Sequence, residues 1–97
     1  MLPTTACTAP KIHPEAERGG EVDDAVTSKL ARYTFMANLC GLPASSAPIG
    51  VDRAGLPIGL QFVGAAFDEP TVLHAMYFLE RAGVAACPRA KNAVEIL

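Results

Sequence analysis

One stretch limits the fold of this chain more than any other. Residues 41–64 read GLPASSAPIGVDRAGLPIGLQFVG, with five glycines, three prolines and a dense apolar run ending in Phe62 and Val63. Two strand-like segments, about 45–50 and 58–63, flank a turn at Asp52-Arg53-Ala54-Gly55. A parallel crossover needs a dozen or more residues. The connection is too short for one, so an antiparallel hairpin is expected over 45–63.

The second strand carries a further constraint. Ile58, Leu60 and Phe62 alternate onto one face, and Gly59, Gln61 and Val63 onto the other. Neither face is charged, so the strand is expected to be covered on both sides. Gln61 is the polar exception, and a buried amide needs partners.

The rest of the chain supplies little to cover it. Residues 1–5 form a strand stub, with Thr4 and Thr5 suited to a strand. Residues 6–21 read as a loop, punctuated by Pro10, Pro14 and Gly19-Gly20. Asp23 or Asp24 caps a helix expected over 23–40, with Val26, Leu30, Tyr33 and Ala37 on one stripe and Gly41 closing it. A second helix is expected over 68–83, capped by Asp68, with Pro70 in its first turn and Gly83 at its end. Residues 84–97 read as a tail. The fold class is mixed α/β, with helices packed on a sheet. Two helices cannot cover both faces of the sheet and shield both edges. The 97 residues therefore read as part of a larger structure, incomplete as written.

Composition narrows the function classes. At 51% hydrophobic residues and a net charge of −2, the chain is neither disordered nor basic. Lys and Arg are scattered, so no nucleic-acid stripe is expected. No run reaches the roughly 18–20 apolar residues of a membrane span. The N-terminus lacks a basic region followed by an apolar block, so no signal peptide is expected. Cys7, Cys40 and Cys87 are widely spaced without a CxxC pair, which argues against zinc and suits a reducing, cytoplasmic compartment. No cofactor is expected.

At this point the residues carry a likeness. "NLCGLPASSAPIGVDRAGLPIGLQFVG" followed by "FDEPTVLHAMYFLE" resembles the C-terminal part of the amidase signature family. The pattern runs through Asn38, Leu39, Gly41, Leu42, Pro43 and Ala44. It continues through Ser46 and Pro48, Gly55 to Gln61, and Asp68 with Glu69. The opening "LPTTACTAP" is similar to the family's Thr-Pro-Thr strand, with Leu2 in place of its first threonine. The flavour is that of fatty acid amide hydrolases. The resemblance implies a piece of a larger α/β/α amidase sheet. It also implies serine acyl-enzyme chemistry from a Ser-Ser-Lys set that lies upstream in the family and has no match here.

The adjacent serines Ser45 and Ser46 are the candidate nucleophiles. Nucleophilic attack needs a base within hydrogen-bond reach and N–H groups aimed at the oxyanion. The candidate bases are Lys11, Lys29, Lys91, His13 and His74, and none lies in a motif tied to the serines. Ser46 falls on a strand rather than on an exposed strand-to-helix turn. Both hydroxyls are expected to satisfy local backbone groups or face a neighbouring strand. His74 reads as a helix residue and Asp23-Asp24 as capping. Gly59 leaves room for close approach of another backbone. No catalytic residue is assigned.

Three readings follow. The leading one is a C-terminal fragment of an amidase, with Met1 an internal methionine, catalytically silent and poorly stable alone. Its partner would be the remainder of the amidase domain. The second is a non-catalytic module that pairs its sheet edges with a partner protein. The third, an independent small enzyme, is the weakest.

Overall fold

The computed structural model describes residues 1–20 and 22–85. The tail expected over 84–97 lies almost wholly outside the described residues. Element order is β1 (Leu2–Pro3), α1 (Ala16–Gly19), α2 (Asp24–Ala31), α3 (Thr34–Cys40), β2 (Ala44–Val51), β3 (Pro57–Val63) and α4 (Glu69–Arg81). The class is mixed α/β with an open, three-stranded sheet in the order β1-β3-β2.

The hairpin is antiparallel, pairing Ala44 with Val63, Ser46 with Gln61 and Pro48 with Gly59. The register shifts between Pro48 and Gly50, leaving Ile49 as the extra residue of a bulge. Beyond the strands, Gly64 N–H donates to Pro43 O at 2.9 Å and lengthens the pairing by one step. β1 lies antiparallel on the other side of β3, with Leu2 opposite Gln61 and Pro3 opposite Leu60. The stub is therefore shorter than the five residues expected.

The helix expected over 23–40 is two helices, α2 and α3, broken at Arg32-Tyr33. Thr34 Oγ1 donates to Ala31 O at 3.2 Å. That hydroxyl competes for a carbonyl of the helical ladder at the break. The loop expected over 6–21 holds one helical turn, α1. Gly41 does close α3, at φ 62° in the left-handed region, and Leu42 N–H reaches back to Ala37 O at 3.0 Å.

Asp68 stands at the N-cap position of α4, yet its side chain makes no capping bond. Its φ of −109° and ψ of 47° depart from the extended conformation of a usual N-cap. Asp23, at φ −118° and ψ 103°, has that conformation, and its Oδ1 accepts Val26 N–H at 3.0 Å.

The core is thin. Among the described residues the buried apolar side chains are Ala37, Ala47 and Val72. α4 packs on β2 and β3, against the face that carries Phe62. The expectation that β3 is covered on both sides is met only in part, because Ile58 is 39% exposed. Large apolar residues such as Phe35, Leu39, Leu73, Tyr77 and Phe78 stand in solvent. Among the described residues no helix is long and apolar enough to cross a membrane.

Candidate functional site

The hairpin sends its two serines to opposite faces. Ser46 pairs with Gln61 and Ser45 with Phe62, and side chains alternate along a strand. Ser46 Oγ shares a hydrogen bond with Thr4 Oγ1, a residue 42 positions away. Thr4 comes this close because its N–H donates to Gly59 O at 2.9 Å and Gly59 has no side chain. A Cβ on Gly59 would stand 2.7 Å from Thr4 Oγ1. The close approach expected at Gly59 is thus made by the residue following β1.

Ser45 Oγ is buried and has no hydrogen-bond partner among the described residues. Of the two outcomes expected for these hydroxyls, a bond to a local backbone group or a place against a neighbouring strand, Ser45 does not make the first and lies opposite Phe62 of β3. The strand turns Ser45 toward the flank of α4, where Pro43, Glu69, Val72 and Leu73 line the same groove. Pro43, Val72 and Leu73 carry no side-chain donor or acceptor, and the Glu69 carboxylate makes no bond to the hydroxyl. Gln61 is 5% exposed, and its Oε1 is likewise unpartnered among the described residues.

The candidate bases are dispersed. His74 is exposed on α4 beside a groove of about 480 Å³ that Phe62 and Phe78 also line. Lys29 is exposed on α2, and its backbone carbonyl accepts Ala6 N–H at 3.3 Å. Lys11 and His13 are exposed in the segment before α1, and Lys91 lies outside the described residues. Neither serine hydroxyl meets a lysine or histidine among the described residues. Ser46 with its threonine partner can hold β2 to the end of β1; this pairing contains no proton acceptor stronger than a hydroxyl.

The best-organised polar cluster was not found by sequence reasoning. Asp52 Oδ1 accepts Ala54 N–H at 2.8 Å and Leu56 N–H at 2.9 Å, while Oδ2 accepts Thr8 Oγ1 at 2.8 Å. The backbone closes the same turn, with Asp52 N–H on Leu56 O and Gly55 N–H on Asp52 O. The Leu56 N–H and then the Thr8 hydroxyl hold the Asp52 carboxyl below its ordinary value. Asp followed by Gly three positions later is a turn signal. The Thr8 contact, made across the fold, leaves no local trace. Asp52 is consumed by structural bonds and is an anchor for the hairpin.

Among the described residues no group of three or more His, Cys, Asp or Glu is placed to hold a metal ion. Cys7 is half-buried and Cys40 exposed, both as thiols. Cys87 lies outside the described residues.

Comparison with known proteins gives a consistent result. The Amidase family model matches residues 1–73. Over 81 residues the chain is 48% identical to a fatty acid amide hydrolase of Medicago truncatula, covering 84% of this chain and 13% of that protein. The Arabidopsis thaliana fatty acid amide hydrolase is 52% identical over 73 residues, covering 75% of this chain and 12% of the relative. A glutamyl-tRNA(Gln) amidotransferase protein of Brevibacillus brevis is 49% identical over 82 residues, 84% of this chain and 16% of that relative. The chain therefore spans less than a fifth of the length of these relatives.

Proposed function

The chain belongs to the amidase family, and from that premise we propose that it is a C-terminal structural segment of a longer hydrolase that cleaves amide C–N bonds. The chemistry of the whole enzyme would be serine acyl transfer. Nucleophile, base and oxyanion donors would come from other parts of the polypeptide. This segment contributes sheet strands and a covering helix. The observation that carries the reading is the unfinished core. Only Ala37, Ala47 and Val72 are buried apolar residues among those described, while Phe35, Leu73 and Phe78 are 61%, 65% and 66% exposed. Apolar area of this extent on a small domain marks an interaction surface. A cytoplasmic setting is part of the proposal, since the thiols of Cys7 and Cys40 suit a reducing compartment.

The test is an amide-hydrolysis assay in two arms. The purified chain alone, with or without Ser46→Ala, should give no turnover above buffer. Mixed with the Medicago truncatula relative cut back by the segment that this chain matches, it should restore hydrolysis. Turnover by the chain alone that vanishes in Ser46→Ala would refute the assignment of Ser46 to the sheet.

A further inference from the structure

Both outer edges of the sheet carry a proline, but the two edges are not alike. Thr4 N–H donates to Gly59 O, so the Gly59 backbone groups face β1. Pro48, opposite Gly59, therefore sits at a pair without ladder bonds to β3, and its ring nitrogen lies on the outer edge of β2. By the same alternation Pro3, opposite Leu60, turns its nitrogen and its carbonyl to the outer edge of β1. Each proline removes one donor from its edge. β2 adds a second obstacle. The register shift at Ile49 directly follows Pro48, and such a bulge bends a strand away from a straight neighbour. The register of β1 runs without a shift. Among the described residues no N–H from outside the sheet reaches Pro3 O.

The helix layer points the same way. A helix is about 10 Å across and neighbouring strands lie about 4.8 Å apart, so one helix covers two strands. α4 packs on β2 and β3, which completes one such pair. β1 is left over, with no strand beyond it among the described residues. The groove of about 480 Å³ opens on that side, because its described walls come from Phe62 of β3 and from α4, with no residue of β2. Phe78 and Leu79 line it with Phe62, His74 and Thr71 are its polar members, and Phe78 is 66% exposed. The groove on the other flank, against β2, is smaller at about 260 Å³ and carries the Glu69 carboxylate. The larger apolar gap thus lies toward the edge that has no bulge.

We propose that the sheet of the parent domain continues from the outer edge of β1 and ends at β2. The inference rests on the fragment reading above and names the edge at which the two parts join. The occupant is a strand of the remaining domain laid along Leu2-Pro3, with an N–H on Pro3 O, and a helix over that strand and β1, seated in the Phe62–Phe78 groove. Edge chemistry selects the strand, since a backbone acceptor within a sheet is met by the N–H of a neighbouring strand. Spacing selects the helix, since β1 makes up a helix width only with one more strand beside it. The chain spans only 13% of its Medicago truncatula relative, and the remaining length of such a protein supplies both.

The experiment is co-expression of the tagged chain with the truncated Medicago truncatula relative, reading co-purification, apparent affinity and photo-cross-linking. Wild-type chain should co-purify at one to one. The photoreactive residue p-benzoylphenylalanine is placed at Pro3 in one variant and at Pro48 in another. Light should join the chain to its partner from position 3 and not from position 48. Phe78→Glu, which sets a charge in the groove, should weaken the complex about tenfold or more, and far-UV circular dichroism separates lost binding from lost folding. If wild type pairs and the cross-link forms from position 48, from both positions or from neither, the edge assignment is wrong while the fragment reading stands. A Phe78→Glu chain that pairs as tightly as wild type would overturn the helix in the groove. Absence of any pairing by wild type would overturn the fragment reading, and the edge assignment with it.

Discussion

Thr8 Oγ1 donates to Asp52 Oδ2 at 2.8 Å across 44 positions of sequence, tying the segment after β1 to the turn of the hairpin. The Asp52 carboxyl is lowered from 3.8 by the Leu56 N–H first, then by the Thr8 hydroxyl and the Ala54 and Gly55 N–H groups. A folded value below the unfolded one means that stability is gained above the unfolded value. It is lost as pH falls through the folded value. The turn should therefore hold at neutral pH and loosen only below about pH 3.8, the ordinary value of the group. Carboxyl-carbon NMR should place the Asp52 midpoint below 3.8, and Thr8→Val should raise it. A wild-type midpoint no lower than the ordinary value would show that these bonds are not made in solution.

Two glycines are required for want of space. A Cβ on Gly64 would stand 2.6 Å from Val72 Cγ2, and one on Gly59 would stand 2.7 Å from Thr4 Oγ1. Overpacking of this kind costs about 1–3 kcal/mol. Gly64→Ala should lower the urea midpoint by lifting α4 from β3. Combined with Val72→Ala, which removes the clashing methyl, the loss should be smaller than the sum of the two single changes. Strict additivity would mean that the two residues are not in contact.

The two aspartates at helix starts should behave differently. Asp23→Ala removes the side-chain bond to Val26 N–H and should cost about 0.5–2 kcal/mol. Asp68 makes no such bond, so Asp68→Ala should stay within about 0.5 kcal/mol. Equal losses in thermal melts would show that Asp68 caps α4 in solution.

Much of the outline was legible because it depends on short-range chemistry. A connection too short for a crossover forces the hairpin. Gly41 and Gly83 supply the positive φ with which α3 and α4 end, at 62° and 69°. The break at Arg32-Tyr33 was not legible, because the apolar stripe from Val26 to Ala37 continues across it. The competing bond from Thr34 to Ala31 is a choice between nearly equal partners. The capping expectation at Asp68 failed for a related reason. Residue type made it eligible, but its backbone angles lie outside the usual capping region.

The candidate site divides along the same line. Gln61 was flagged because an amide within an apolar strand is visible in the sequence itself. Asp52 was seen only as part of a turn, since Thr8 reaches it from a distant segment. Ser45 and Ser46 are identical in sequence and opposite in environment, one hydroxyl buried without a partner among the described residues and the other paired with Thr4.

From its residues alone this chain is a hairpin with helices before and after it, carrying an amidase pattern and more apolar surface than it can bury. Those properties follow from chain connectivity, residue shape and hydropathy, which act over a few positions. Only the tertiary structure decided that Thr4 reaches Ser46, that Thr8 reaches Asp52, that Gly64 lies under Val72, and that Pro3 and Pro48 turn outward at the two edges. Each depends on strand register and on which face a helix covers, and a one-residue slip of register would reverse every side chain involved.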